Sequence, residues 1–185
     1  MKNRTARMVI CIAMLIIISS CAYAQSYTTY VESSNIGKSE IAKTSVIWII
    51  ADTGNFMWNR TIESTLFDRF KANGIKTLLT TDYVDICDLK EEEYEKILTL
   101  YLESESDYML AAEIGDLYTY SAGGGIKNMD INASLLDFAN ERIILKMALS
   151  TEADTNDWKS LNETRRPAIE SMAESFTKEF MKYVK

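Results

Sequence analysis

The chain has 185 residues, 47% hydrophobic and 25% charged, the ordinary proportions of a single globular domain. It contains no His, which excludes Ser-His-Asp and Cys-His centres and any His-ligated zinc site, so acid/base chemistry would rest on carboxylates, Lys, Tyr or Cys. A formal net charge of −7 disfavours nucleic-acid partners, because an acidic surface repels a phosphate backbone.

The first element is a leader. "MKNRTARMVICIAMLIIISSCAYAQ" carries Lys2, Arg4 and Arg7, then an apolar run over 8–18, then small residues. That is the form of a secretory signal, and the run is too short to span a bilayer stably. Two processing sites suit it. Cleavage after Ala22-Tyr23-Ala24 gives a signal peptide of residues 1–24. Ile18-Ser19-Ser20-Cys21 has lipobox form, which ends the leader at residue 20 and lipidates Cys21. The lipid would then tether the chain to a membrane surface without a spanning helix. Either cut leaves 17 Lys and Arg against 27 Asp and Glu, a net charge of −10. Such a charge favours solubility over adhesion to anionic lipid. Cys11 leaves with the leader, and Cys21 leaves or carries the lipid. Cys87 is then alone between Asp85 and Asp88, so a buried, inert thiol is expected and no intramolecular disulfide.

Residues 25–44, rich in Ser and Thr, read as a tether holding at most one short strand. Residues 46–51 are apolar without alternation, as in a strand covered on both faces. Asn59 or Thr61 can cap the following helix, whose Ile62, Leu66, Phe67 and Phe70 fall within about 140° of one face. Asn73-Gly74 ends it, and a strand over 75–83 follows so closely that a βαβ crossover is favoured. Asp88 and Glu91 have capping-box spacing before a helix with Tyr94, Ile97, Leu98, Tyr101 and Leu102 on one stripe. Residues 108–120 read as a strand. Alternation over 129–135 and a return over 143–149 predict an antiparallel hairpin. A last helix starts near Pro167, or as early as Asp157, with Ile169, Met172, Ala173, Phe176, Phe180 and Tyr183 on its buried face. The order βαβαβββα predicts an α/β (α+β) fold: one mixed sheet of about five strands with three amphipathic helices, in a single domain over 45–185.

Asp52-Thr53-Gly54 has the form of an aspartic-protease signature. One copy per chain would require a dimer with paired Asp52 carboxylates, and that enzyme's fold is almost entirely β. Here an amphipathic helix follows within a few residues, so the tripeptide also reads as a strand end where Gly54 permits a turn. Gly123-Gly124-Gly125-Ile126-Lys127 lacks the Ser or Thr of a phosphate-binding loop and reads as a flexible hairpin tip able to touch a partner. Phe56, Met57 and Trp58 lie after the first core strand. They fold back onto a helix or stay exposed as a partner surface. Tyr118 and Tyr120 suggest an apolar cleft suited to a small-ligand carrier.

The segments "SVIWIIAD", "FKANGIKTLLTTDYV", "ESDYMLAAEIGDLYTY" and "INASLLDFANERIILKMALS" fall in an order that resembles a group of bacterial envelope proteins. These share an α/β module like the anticodon-binding domain of some tRNA synthetases. The group includes the curli secretion lipoprotein, the lipoprotein activators of penicillin-binding proteins and the N-terminal domain of the Tol propeller protein. The likeness spans residues 45–184, with Ser-Asp-Tyr where the group has Gly-Ala-Asp and no Thr-Gly turn in "DFANERIIL". The resemblance implies an exported, non-enzymatic protein of the periplasm or the outer membrane's inner side. It implies envelope proteins as partners, no cofactor or metal, and no catalytic residue. A carboxylate-dependent hydrolase using Asp52 and a small-ligand carrier remain the alternatives.

Overall fold

The computed structural model describes residues 26–36, 40–53, 55–82, 91–120, 124–154 and 160–185, without the side chains of Phe56 and residues 91–94. The leader with Cys21, Gly54, Cys87 and Gly123 lie outside the described residues. The elements are β1 (Tyr27–Asn35), β2 (Val46–Asp52), α1 (Phe56–Ala72), β3 (Lys76–Leu79), α2 (Glu91–Glu103), β4 (Tyr108–Thr119), β5 (Ile126–Asp137), β6 (Arg142–Ala153) and α3 (Leu161–Phe180). They form one mixed sheet in the order β1-β6-β5-β4-β2-β3. β2 runs parallel to β3 and β4, and the remaining pairs are antiparallel.

The sheet has one strand more than the sequence predicts, and it arises from the stretch read as a tether. β1 pairs along its length with β6, from Tyr27 opposite Ala153 to Asn35 opposite Leu145. Its alternation is nearly all polar, so it lacks the apolar signal of a strand. Side chains on alternate positions instead bond to the last helix: Thr29 to Ser171 at 2.9 Å and Ser33 to Glu179 at 2.8 Å. After β1 the chain is clasped by the C-terminal segment, with Ile41 N–H donating to the Tyr183 carbonyl and Lys185 N–H to the Ile41 carbonyl.

Topology divides the helices between the two faces. The chain leaves β2 for β3 on one side and returns across β2 to reach β4. Right-handed crossovers in opposite directions place α1 and α2 on opposite faces. β2 shows both. Ile47, Ile49 and Ala51 join the main core under α1 and α3, while Trp48 and Ile50 join a second cluster with Ile97, Tyr101 and Met109. The main core is sealed by Phe70, Phe176 and Phe180, with ring centroids of Phe70 and Phe180 4.9 Å apart.

Two boundaries differ from the sequence reading and a third falls between its two alternatives, each through a polar side chain. Asn55, and not Asn59 or Thr61, caps α1, accepting from the N–H groups of Met57 and Trp58. β3 ends at Leu79 because Thr80 and Thr81 turn inward: Thr80 Oγ1 donates to the Ile49 carbonyl, and Thr81 donates from N–H and hydroxyl to Glu63. α3 begins at Leu161, between the two expected starts at Asp157 and Pro167, because Ser160 and Glu163 form a reciprocal capping box. Pro167 sits inside the helix.

Candidate functional site

The strand-to-helix joint after β2 is held by two side chains of α1. Asn59 Oδ1 accepts from Thr53 N–H at 2.9 Å and from Thr53 Oγ1 at 2.6 Å. Glu63 Oε1 accepts from Ala51 N–H at 3.0 Å, and its other oxygen accepts from Thr81. Glu63 is fully buried, and desolvation pushes its carboxyl up to about 7 despite the hydrogen bonds from Thr81 and Ala51. Thr53 is thus committed to Asn59, and Asp52 is the last residue of β2, in a mixed sheet packed with helices. That is not the all-β architecture an aspartic-protease loop requires.

Of the aromatic trio, Trp58 folds back. It is buried in the main core with Arg165 over its ring at 5.9 Å. Met57 points outward and is 54% exposed. Gly124 and Gly125 are buried rather than displayed. Gly124 bridges to Ser160 at the start of α3, and Tyr120 N–H donates to the Gly125 carbonyl. Ile126 N–H donates to Thr164 Oγ1 at 2.9 Å, so this end of β5 is fastened to α3. The hollow beside Tyr118 and Tyr120 is walled by Lys127, Asn128 and Glu152, which makes it polar.

An apolar cleft lies elsewhere, beside α2. It has a volume of about 440 Å³. Its floor is Ile50 of β2, Met109 and Ala111 of β4 and Leu136 of β5, its wall is Ile97 and Leu98 of α2, and Phe138 closes one end. The physical reason is coverage. Among the described residues, one 13-residue helix covers the second face of a six-stranded sheet. Ile97, Leu98, Tyr101 and Leu102 spread over about 140° of its circumference, and the sheet meets only part of that arc. Ile97 and Tyr101 are buried, whereas Leu98 is 41% and Leu102 65% exposed. A second cleft of about 410 Å³ continues past Phe138, along Tyr101 and Leu102.

Carboxylates ring the first cleft. Asp52 and Glu113 are register partners on the parallel strands β2 and β4, both on the α2 side, and Glu95 of α2 faces the same opening. Asp107 and Asp137 line the second cleft. Burial works against ionisation of Asp137, but hydrogen bonds from Asn140 and Arg142 outweigh it and hold the carboxyl below the usual range. Among the described residues, no group of three His, Cys, Asp or Glu is placed to hold a metal ion. The sequence reading singled out Asp52 but missed Glu95, Glu113, Leu98 and Phe138 as neighbours. The available signal was an apolar stripe on α2 wider than a single sheet contact covers.

No family model matches the chain, and no curated protein matches it. Solved structures do. The PelC dodecamer from Paraburkholderia phytofirmans aligns with a TM-score of 0.53 at 15% identity, covering 85% of this chain and 98% of that one. A single-substitution variant of the same dodecamer gives 0.53 at 13% identity, over 81% and 96%. Protein XCC0632 from Xanthomonas campestris gives 0.48 at 10% identity, over 80% and 90%. The chain shares the PelC fold over 85% of its length. Among the described residues no helix is long and apolar enough to cross a membrane.

Proposed function

We propose that this chain is an exported, non-enzymatic protein of the bacterial envelope that acts by contact with other proteins, as part of an assembly. The observation that carries the reading is the apolar cleft beside α2, with Leu98 and Leu102 turned to solvent along it. Apolar surface left open on a well-packed domain is where partners dock. The leader supports export, and the likeness of the element order to the envelope-protein module supports an envelope role by analogy. The neighbouring structure is a dodecamer, which makes a second copy of this chain one partner to test.

Mass spectrometry of the mature N-terminus from native envelopes tests the export step. It reads a lipidated Cys21 or a free Gln25, and an uncleaved Met1 would contradict the proposal. Cross-linking in the same envelopes, with native mass spectrometry of the purified protein, tests the contact. A chain that is monomeric and uncross-linked would contradict it.

A second reading has its own observation. The cleft volume falls in the range of small-ligand pockets, as a carrier requires. A carrier would copurify with an apolar ligand detectable by mass spectrometry after denaturation.

A further inference from the structure

The two clefts beside α2 form one track. They share Phe138, and α2 walls both, through Leu98 in the first and Leu102 in the second. Leu98 and Leu102 are one helical turn apart, on a helix about 20 Å long. Among the described residues, every charged side chain lining the two clefts is acidic: Asp52, Glu95 and Glu113 around the first, Asp107 and Asp137 in the second. Arg142 meets Asp137 at 3.4 Å in the second cleft, and the first cleft has three carboxylates to the second's two. The remaining part of this sheet face, beyond the track, presents polar side chains such as Asn132, Ser134 and Lys146.

We propose that this track receives a basic amphipathic helix from a partner protein. The inference rests on the reading that the chain acts by contact, and it names the chemistry of that contact. An apolar stripe repeating every three or four residues would interleave with Leu98, Leu102 and Phe138, as in other helix-in-groove recognition. Lys or Arg flanking the stripe would meet Asp52, Glu95 and Glu113. The same carboxylates reject an acidic helix or a phospholipid headgroup, because like charges brought together in a partly desolvated cleft are costly. Charge complementarity therefore selects the occupant, and the apolar floor supplies the affinity.

The test uses the purified chain and a synthetic helix of about 14 residues, matched to α2 in length, with Leu along one face and Lys on its flanks. A second peptide replaces each Lys by Glu. Calorimetric titration should show saturable binding of the basic peptide, weakening as salt rises, and at least about tenfold weaker binding of the acidic one. Leu98→Asp and Leu102→Asp should each weaken the basic peptide at least about tenfold while the chain still unfolds in one cooperative transition, because both side chains are exposed. Replacing Glu95 and Glu113 together by Lys should reverse the preference. Equal affinity for the two peptides, no saturable binding, or binding unchanged by Leu98→Asp would overturn the inference. If envelope cross-links persist in Leu98→Asp, the groove falls while the contact reading stands. If the unaltered chain gives none, the contact reading falls.

Discussion

Glu63 and Thr81 are joined by two hydrogen bonds, the Thr81 N–H donating at 2.9 Å and its hydroxyl at 2.8 Å to one buried carboxylate oxygen. With Ala51 on the other oxygen, this carboxyl ties α1, the end of β2 and the turn after β3 into one joint. That joint sets where Asp52 enters the cleft.

The joint makes stability pH-dependent. Desolvation raises the folded Glu63 carboxyl from an ordinary 4.5 to about 7, so the fold binds a proton that the unfolded chain has released. The contribution is fully present below about 4.5 and is lost as pH rises through about 7, a difference on the order of 3 kcal/mol. Depressed carboxylates such as Asp137 and Glu179 act in the opposite direction. The readout is therefore the comparison with Glu63→Gln. Urea midpoints across the interval should fall with pH more steeply in the unaltered chain than in the variant. The variant should also be weaker at low pH by about 1–3 kcal/mol, because its amide nitrogen cannot accept from Thr81. Parallel pH profiles would contradict this.

Gly124 has no room for a side chain. A Cβ there would lie 1.8 Å from the Tyr120 carbonyl oxygen. Gly124→Ala should lose about 3 kcal/mol or more, since backbone and not a flexible side chain must move. Denaturant unfolding measures it, and a loss below about 1 kcal/mol would show that the β4–β5 connection is looser than described.

The start of α3 rests on Ser160 and Glu163. Ser160→Ala and Glu163→Ala should each cost about 1 kcal/mol. The double variant should cost less than their sum, because the two side chains cap each other reciprocally. Additive losses in a double-mutant cycle would show that the box contributes nothing as a unit.

The two apolar stripes of α2 should respond differently. Ile97→Ala removes a buried side chain from the second cluster and should cost about 2–4 kcal/mol. Leu102→Ser, at an exposed position, should change stability by less than about 0.5 kcal/mol. Thermal melts of the two variants would separate the stripe that holds the fold from the stripe that remains for contact. Equal losses would mean that Leu102 is a packing residue.

Much of the architecture was legible in the chain because periodicity reports burial. The two-sided β2, the amphipathic α1 and the alternating β5–β6 hairpin could be read from spacing alone. What escaped was held by polar groups. β1 is a strand because its backbone pairs with β6 and its hydroxyls bond to α3, which leaves little apolar pattern. The sequence leaves the start of α3 open between Asp157 and Pro167, and the capping box of Ser160 and Glu163 sets it at Leu161. The site was harder still. Asp52 was visible as part of a tripeptide, yet Glu113 reaches the same opening only through the sheet register and Glu95 only through the packing of α2.

The most direct test of the account is photo-cross-linking in the native envelope from a photoreactive residue at Leu98, at Leu102 and, for comparison, at Lys146 on the polar part of the same sheet face. The account predicts one and the same protein adduct from the first two positions, identified by mass spectrometry, and little or none from the third. Adducts equally abundant at all three positions, or confined to Lys146, would contradict it.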